Sequence, residues 1–407
     1  MRRTAWLAAF VVAAWIGYGP SDLVFAQQQQ KGPGFGKQKQ KQPPSKQQKS
    51  AKAFGAIHSD PDTSGLEWKL SYFYDDDREV LHFADIAFPS RERGIAVGSI
   101  VDETRGGNGK PVAVITTNGG KTWTKTDLDD HPVSLFFLNE SLGWMVGARG
   151  IWKTEESGRS WKRIRRHSEL AIRQVWFLDP DHGFAVGEEQ TVLETRNGGK
   201  DWTPVPAARQ ASADKNISVY TQIAFADGER GLIAGAGIPQ LPKNARLVRQ
   251  PPRLTLELET RDGGKKWAGS AAALSGQIAD LTLIGSDGLA VFAFPSSYQW
   301  PSEVYRLDLN TGKSGVTFHQ DNRRVTGSIL FPGQRGFLAG YDLRVRAQTE
   351  AVPGRIRILR STDLQRWLEM EVDYRAVGSR VVLAGPDADH VWAATDSGMV
   401  LQMGPKE

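Results

Sequence analysis

Five polar side chains recur at the same point of a repeated segment, and each precedes a tryptophan. They are Asn118, Glu156, Asn197, Asp262 and Asp363, and the tryptophans are Trp123, Trp161, Trp202, Trp267 and Trp367. Carboxylate and amide oxygens could bind a hard cation, and the carboxylates could act in acid–base catalysis. The same residues could instead fix a turn, because an Asn/Asp-Gly run supplies the positive φ angles of a tight hairpin. A segment that recurs is a unit of architecture first, so we expect a structural hairpin under each tryptophan.

The elements that position these hairpins begin with a short strand that occurs seven times. Its pattern is a polar residue, an apolar residue, any residue, and then Phe or Leu. A second strand follows and is bracketed by Gly in most copies, as in the stretch 143–147, and its continuous apolar run indicates a sheet covered on both faces. A third strand leads into the Gly-rich turn and a fourth leaves it. Four strands that repeat at about 40 residues predict an all-β, seven-bladed β-propeller with four-stranded blades.

The blades are expected at residues 83–127, 132–165, 172–206, 220–270, 277–318, 326–373 and 378–404. The last copy ends after its third strand. Trp68 keeps the spacing of the repeat from Gly65, so residues 64–72 are expected to supply the missing fourth strand. This N-terminal closure would join the ends of a domain spanning residues 57–407 and remove exposed sheet edges.

The first 56 residues have a different composition from the propeller. Residues 1–26 combine Arg2 and Arg3 with an apolar run and a Val-Phe-Ala cleavage site, which predicts a secretory signal peptide or, alternatively, an uncleaved anchor. Residues 27–56 form a Gln/Lys-rich tether that cannot bury enough apolar surface to order itself. The tether contains seven lysines, which exceeds the chain's net charge of +5, so the remainder is slightly acidic. The tether is either simply solvated or makes weak contact with an anionic envelope surface.

The repeat resembles a known family motif. Ser/Thr-x-Asp/Asn-x-Gly-x-x-Trp is the Asp-box, or BNR repeat, and the turns ending at Trp123, Trp202 and Trp267 match it closely. The fuller unit, with its Gly-bracketed second strand, is similar to that of the photosystem II stability/assembly factor family of seven-bladed propellers. The resemblance covers nearly all of residues 64–404. It implies a lumenal or envelope assembly chaperone that binds proteins, and an Asp-box that is a structural hairpin away from the ligand.

Strand alternation separates two faces of such a propeller. If each first strand runs away from the top face, the loops between second and third strands and the connections from one blade to the next share that face. The Asp-boxes then lie on the bottom face. The long insertions, at 99–111, 237–253, 294–303 and 341–355, are all loops between second and third strands. Because long loops on a rigid scaffold usually carry its binding surface, the top face is the candidate site.

Arginines are numerous in these loops and near the starts of the first strands. The candidate docking residues are Arg173, Arg246, Arg249, Arg253, Arg323, Arg324, Arg344, Arg346 and Arg355. The guanidinium fork binds carboxylates bidentately, so a cationic face would suit an acidic polypeptide. The alternative is that these arginines only solvate long loops.

The first strands also predict a polar ring at the mouth of the central channel. Its members are Asp85, Ser134, Gln174, Gln222, Asp280, Ser328 and Arg380. The ring would either bind a ligand or hydrate the channel. Asp85 and Asp280 lie in blades one and five, nearly across from each other, and glycosidase carboxyl pairs need to be ~5–9.5 Å apart. They are therefore poor candidates for a catalytic pair.

Other chemistries find little support in the sequence. The chain has no cysteine, so it has no thiol nucleophile, disulfide or thiolate metal site. Its seven histidines have no metal-ligand spacing, and no phosphate-binding loop or nucleophile elbow is present. Tyr298 and Trp300, on the third insertion, could stack on a sugar or a peptide.

These observations favour an exported, periplasmic or extracellular, non-catalytic propeller that acts as a monomer and binds a membrane-protein or envelope subunit. We expect no cofactor and no nucleic acid partner. The alternative is a carbohydrate-active enzyme of sialidase or glycoside hydrolase type, or a carbohydrate-binding propeller on the same fold.

Overall fold

The fold is a closed ring of seven β-sheets. A computed structural model describes residues 59–76, 78–102, 104, 109–166, 171–210, 212–240, 253–272, 276–295, 298–343 and 354–406. Within each sheet, neighbouring strands of the repeat pair antiparallel in chain order. The first strand of each blade contacts the first strand of the next, and that of blade 7 contacts that of blade 1. The predicted all-β, seven-bladed propeller is confirmed.

The strands of the first three blades have these bounds. Blade 1 contains Glu79–Ala87, Gly94–Asp102, Lys110–Thr116 and Thr124–Asp127. Blade 2 contains Pro132–Phe137, Gly143–Gly147, Gly150–Thr154 and Lys162–Arg166. Blade 3 contains Ile172–Phe177, Gly183–Gly187, Thr191–Thr195 and Thr203–Pro204.

The remaining blades follow the same order. Blade 4 contains Val219–Phe225, Gly231–Gly237, Leu254–Thr260 and Ala268–Ala272. Blade 5 contains Gln277–Ile284, Asp287–Ala293, Ser302–Asp308 and Lys313–His319. Blade 6 contains Arg323–Phe331, Arg335–Asp342, Ile356–Ser361 and Leu368–Glu369, with Asp60–Pro61 added at its edge. Blade 7 contains Val381–Asp387, His390–Thr395, Met399–Pro405 and Leu66–Phe73, with Glu371–Val372 at its edge.

Helix is limited in the described residues to two short 3-10 turns, Pro206–Ala208 and Lys215–Ile217, in the connection from blade 3 to blade 4. No helix among the described residues is long and apolar enough to cross a membrane. The predicted signal peptide, residues 1–26, and the predicted tether, residues 27–56, lie outside the described residues.

The hydrophobic core lies between adjacent blades, and aromatic residues dominate it. Phe177 of blade 3 stacks on Trp144 of blade 2, with ring centroids 3.6 Å apart, and Trp202 meets Phe177 edge-on at 6.0 Å. Phe88 of blade 1 stacks in the same way on Trp392 of blade 7 at 3.7 Å. A Cβ at Gly183 would lie 2.5 Å from the Phe177 ring, which explains the Gly that opens this second strand. Phe88 and Phe177, each at the end of a first strand, therefore join two blades.

The two ends of the propeller interlock across blades 6 and 7. Leu66–Phe73 pairs antiparallel with Met399–Pro405 and so provides the fourth strand of blade 7. Asp60–Pro61 pairs in parallel with Leu368–Glu369 of blade 6, while Glu371–Val372 pairs in parallel with Leu66–Phe73. Trp68 is 1% exposed and its Nε1 lies 3.3 Å from Met370 Sδ. The N-terminal segment thus holds the last two blades together.

Candidate functional site on the top face

The Asp-box residues form closed local hydrogen-bond networks. In blade 3, Gly199 N donates to Thr195 Oγ1 at 2.9 Å, Asp201 N donates to Asn197 Oδ1 at 2.9 Å, and Trp202 Nε1 donates to Gly199 O at 2.9 Å. The glycines at 198 and 199 have φ of 71° and 90°. The turn therefore uses these polar atoms internally, while Gly198 N donates to Asp181 O of the same blade at 2.9 Å. Among the described residues, no group of three or more His, Asp or Glu is arranged to hold a metal ion.

The other Asp-boxes vary this arrangement. Asn118 and Asp262 accept bonds from the backbone of Thr122 and Lys266, as Asn197 does from Asp201. Glu156 is longer and accepts from Ser160 Oγ at 2.6 Å instead. Asp363 accepts from Gln365 N and Arg366 N in a shorter turn, where Leu364 takes φ of 55°. The tryptophans cover these turns: Trp123, Trp161, Trp202 and Trp267 each meet the Phe of their own blade edge-on, and Trp367 is 3% exposed.

The polar ring residues link the first strands of neighbouring blades. Asp85 Oδ2 accepts from Leu135 N at 2.7 Å, Ser134 Oγ donates to Arg173 O at 3.0 Å, and Gln174 Oε1 accepts from Ile223 N at 2.7 Å. Gln222 Nε2 donates to Ala279 O at 3.1 Å, and Asp280 Oδ2 accepts from Ser328 N at 2.6 Å. Arg380 Nη1 donates to Ala84 O at 2.6 Å and so returns to blade 1. The ring holds the blades together.

Blade 6 differs from the prediction for this ring. The first strands of blades 1 to 6 share a β-bulge, and in blades 1 to 5 the ring residue directly follows it. In blade 6 the residue in that place is Gly327, so Ser328 lies one residue beyond the ring position. Thr326 makes the bond to blade 7 in its place: its Oγ1 donates to Val381 O at 3.2 Å and accepts from Val381 N at 3.0 Å. Ser328 instead bonds to blade 5, since its Oγ donates to Asp280 Oδ2 at 2.7 Å.

Asp85 and Asp280 are structural acceptors with perturbed acidity. Burial raises the pKa of Asp85 to about 6, against the opposing effects of the Leu135 N–H and the Arg380 guanidinium. Burial also raises the pKa of Asp280, opposed by its bonds to Ser328. Both carboxyl groups accept hydrogen bonds from the backbone of the next blade, so their role is structural.

The top face carries most of the exposed apolar side chains. Large apolar residues at least a third exposed are Phe73, Ile217, Tyr298, Val316, Tyr374 and Val377. All except Val316 lie in loops or connections of the top face, or at a strand end beside one. Tyr298 stacks on Phe294, with centroids 5.3 Å apart, and Trp300 stacks on the buried His319 at 4.2 Å. An exposed aromatic fixed by a second ring is a typical contact for a protein partner.

The predicted docking arginines have different environments. Arg253 is exposed, and Arg173 is paired with Glu188 at 2.6 Å. Arg324 donates to Phe294 O at 3.1 Å, and its Nε is buried with no partner among the described residues. Arg355 is partly exposed and lines a cavity of about 330 Å³ together with Asp62 and Glu369. Arg246, Arg249, Arg344 and Arg346 lie outside the described residues.

Arg323 is not part of an exposed docking face. It is only 5% exposed and forms ion pairs with Asp342 at 3.4 Å and Glu369 at 3.1 Å. Arg357 pairs with the same two carboxylates at 2.7 and 2.8 Å. The prediction was wrong because strand alternation turns this side chain into blade 6, where two acids of other strands neutralise it.

Three arginines of the top face were missed from the sequence. Arg165 and Arg166 end the fourth strand of blade 2, and Arg209 lies in the connection after blade 3. Arg165 and Arg209 line a cavity of about 500 Å³, and burial lowers the pKa of Arg165, whose Nε has no partner within the described structure. The signal was available, because connections between blades share the top face with the long loops.

Two cavities of this face meet at a turn with unusual backbone angles. Glu189 and Gln190, both non-glycine, have φ of 53° and 57°. Glu189 lines the Arg165 cavity and also a second cavity, of about 600 Å³, with Ile217, Gln222 and Gln277. The buried side chain of Gln190 accepts from Gln210 N at 2.6 Å, which fixes the long connection of blade 3 against the turn. Left-handed angles in such residues persist only when surrounding contacts enforce them.

Comparison with known proteins identifies similar chains. Residues 167–241, in blade 3 and the first half of blade 4, match the model of the family described as photosynthesis system II assembly factor YCF48. The photosystem II assembly protein Ycf48 of Thermosynechococcus vestitus is 22% identical over 311 residues, which cover 60% of this chain and 88% of that protein. The photosystem II assembly lipoprotein Ycf48 of Synechococcus sp. is 27% identical over 165 residues, 33% of this chain and 48% of that lipoprotein. The chain thus aligns with only about half the length of the second relative.

Solved structures agree on the fold. A structure of YCF48 bound to D1 peptide has a TM-score of 0.56 and 16% identity, and the match covers 84% of this chain and 98% of that chain. At this identity the likeness establishes the architecture alone. The family match and the relatives, taken with the Asp-box turns, confirm the resemblance seen in the sequence. The chain is a seven-bladed Asp-box propeller similar to the photosystem II stability/assembly factors.

Proposed function

We propose that this chain is an exported, non-catalytic propeller that binds proteins through its top face, in an assembly role like that of its relatives. The observation that carries the proposal is the concentration of exposed apolar side chains and of arginines without described carboxylate partners on the face opposite the Asp-boxes. Apolar anchors surrounded by charged and polar groups are the usual anatomy of a protein interface.

The relatives support the assembly role. Two of them are named photosystem II assembly proteins, and one solved structure of a similar fold is of YCF48 bound to D1 peptide. The assembly partner of this chain is proposed to be a membrane-protein or envelope subunit with an accessible polypeptide segment.

The docking residues proposed here combine sequence and structure. Arg165, Arg166, Arg173, Arg209, Arg253, Arg324 and Arg355 belong to the described top face. Arg246, Arg249, Arg344 and Arg346 are proposed to join them, because they belong to two of the long loops that end at this face. Arg323 is excluded by its burial.

Export and attachment are part of the same proposal. The signal-like residues 1–26 support export, and two relatives are named lipoproteins. The propeller, residues 57–407, would then act as a monomer in the periplasm or outside the cell, joined through the basic tether at 27–56 to weak contacts with the envelope. Ser59 and Asp60 lie at the outer edge of blade 6, where this tether joins the fold.

Binding of an identified partner tests the proposal. Crosslinking of the native envelope followed by mass spectrometry would identify the partner, which is then purified and titrated by calorimetry. The double variant Arg165→Glu/Arg209→Glu is expected to weaken binding at least about tenfold, since two rim charges change sign. The control, Arg159→Glu/Lys200→Glu, reverses two exposed charges in Asp-box turns of the bottom face. Equal affinity of both variants and the wild type would contradict the proposed docking face.

A further inference from the structure

The outer strand of each blade is an edge at which a further strand could pair. In blades 1 to 5 the described residues place no strand beyond it, whereas blades 6 and 7 each have a fifth strand there. These two are Asp60–Pro61 and Glu371–Val372, and both pair in parallel with the outer strand of their blade. An open edge presents unpaired backbone N–H and C=O groups, so the fold contains both occupied and open sites for an extended segment.

Both fifth strands bring an acidic side chain that pairs with a cation of the blade they join. Asp62 directly follows Asp60–Pro61, and its N–H donates to Glu369 O at 2.8 Å. The carboxylate of Asp62 is 1% exposed and pairs with Arg360, on the third strand of blade 6, at 3.0 Å. In blade 7, Glu371 pairs with Lys406. The molecule thus adds strands to its own blades through backbone pairing combined with acid–cation pairs.

Blade 2 repeats the cationic half of this arrangement. Arg360 directly precedes the Asp-box of blade 6, and its register partner directly follows the Asp-box Trp. Lys153 has the same place in blade 2, where its register partner is Lys162. At this place the Asp-box blades 1, 3 and 4 have Ile115, Glu194 and Glu259. Of the Asp-box blades without a described fifth strand, only blade 2 has a cation there.

The outer strand of blade 2, Lys162–Arg166, is basic along its length. Its sequence is KRIRR, and none of its four cations forms an ion pair within the described structure. The charge of Glu155 acts on Lys162, but this carboxylate is already paired with Lys153 at 2.9 Å. Glu156, in the adjacent turn, offsets one of the charges. The edge keeps an excess of positive charge, which an acidic segment would neutralise.

This charge restricts what can pair with the edge. Cations on an edge strand oppose pairing with a second copy of the same strand, because like charges would meet. The chain's own tether, residues 27–56, contains seven lysines and no acid, so it is repelled as well. Arg163 lies over the Trp152 ring, 5.3 Å from its centroid, which holds its charge in place before a partner arrives. The suitable occupant is therefore an acidic segment of another protein.

We propose that the outer strand of blade 2 binds an acidic, extended segment of a partner protein as a fifth strand, parallel to Lys162–Arg166. The backbone of the segment pairs with the open side of this strand. Its Asp or Glu side chains face Lys153 and Lys162, as Asp62 faces Arg360 in blade 6. This inference goes beyond the proposed function, because the site lies on the outer edge of the ring and needs no docking on the top face.

Three synthetic peptides of about 10 residues, which reach about 34 Å when extended, test the proposal. One alternates Asp or Glu with Thr and Val, and the second has Asn and Gln in place of the acids. The third is the acidic peptide N-methylated at consecutive central residues, so that neither of its edges can pair. Binding to the full chain is measured by fluorescence anisotropy. The acidic peptide is expected to bind at least about tenfold more tightly than either control peptide, because it alone combines the charges with free backbone groups.

Hydrogen exchange and charge reversal locate the bound peptide. The acidic peptide is expected to slow exchange of the backbone N–H groups of residues 162–166. Lys162→Glu/Arg163→Glu is expected to weaken its binding at least about tenfold, since two attractive contacts become repulsive. The control, Lys265→Glu/Lys266→Glu, reverses two exposed charges beside the outer strand of blade 4 and should bind as the wild type does. If the first variant has a lower urea midpoint than the wild type, Lys162→Glu alone, at an exposed site, replaces it.

The outcomes that would overturn the proposal are distinct from those that bear on the top face. Equal binding of the acidic and N-methylated peptides would reduce the interaction to charge attraction and contradict strand addition. Protection from exchange in the connection 206–217, with none at 162–166, would contradict the edge site and support docking on the top face. Unchanged affinity of the charge-reversed variant, or no binding of the acidic peptide, would also show the edge proposal to be wrong, while the top-face proposal keeps its own test with the envelope partner.

Discussion

At the residue scale, Glu257 is a buried carboxyl group whose surroundings disfavour its charged form. It lies on the third strand of blade 4, on the strand face opposite Leu256 and Leu258, which pack towards blade 3. It is 9% exposed, and its Oε2 has no partner among the described residues. Burial raises its pKa to about 8, and Glu259 adds to the effect. The folded protein therefore holds this group neutral at a pH where an unfolded glutamate is ionised.

The stability of the propeller should consequently fall as the pH rises towards 8. The folded pKa is above the unfolded value, so this group's contribution is complete below about pH 4.5 and is lost between there and about pH 8, at about 1.4 kcal/mol per pH unit. Glu257→Gln keeps the shape and removes the titration. We expect it to raise Tm at pH 8.5 by several degrees and to change it little at about pH 5. Glu140→Gln, at an exposed site, is the control; an equal Tm difference at both pH values would contradict this account.

A second residue-scale prediction concerns the inter-blade ring. Gln174→Ala removes the acceptor of the buried Ile223 N–H, which then has no partner at that position. We expect the free energy of unfolding to fall by about 1–3 kcal/mol, the usual cost of an unsatisfied buried donor. Gln365→Ala, on the exposed surface of an Asp-box turn, should cost much less. Urea unfolding of both variants measures the difference, and similar midpoints would argue against a structural ring.

At the element scale, the Asp-box hairpin is the part of the fold that the sequence predicts best. The bonds that shape it join residues within one turn, as between Thr195 and Gly199 or Asn197 and Asp201, so the pattern is visible locally. One further bond, from Gly198 N to Asp181 O at 2.9 Å, ties the turn to its own blade. The position of these hairpins also indicated the two faces, while the seven first strands indicated the blade count. The local pattern is enough to predict the turn because the side chains that shape it lie within residues 195–202.

Elements that depend on distant residues were predicted less well. In blade 6 Gly327 occupies the ring position and Thr326 makes the bond to blade 7, whereas the strand pattern had indicated Ser328. Arg323 is buried because Asp342 and Glu369, from other strands of the blade, face it.

At the scale of the whole molecule, the N-terminal segment determines whether the ring stays closed. Trp68→Ala removes a fully buried indole that packs edge-on against Phe337, with centroids 6.2 Å apart. We expect a loss of about 3–5 kcal/mol and faster proteolytic cleavage near residues 59–65, since the interlocked strands separate first. Trp161→Ala, at a partly exposed Asp-box tryptophan, should lower stability without that local cleavage. If the protease sensitivity of the Trp68 variant is unchanged, the N-terminal segment does not hold the last two blades together.

The central claim is that the propeller acts through the face opposite its Asp-boxes, and position-specific photo-crosslinking tests it most directly. A photoreactive amino acid is placed at Ile217 or Tyr298 on the top face, and at Lys121 or Gln365 on the bottom face, all of which are exposed. In the native envelope, the account predicts that both top-face positions form crosslinks to the same polypeptide and that the bottom-face positions do not. Crosslinks to a common polypeptide from Lys121 and Gln365, with none from Ile217 and Tyr298, would contradict it.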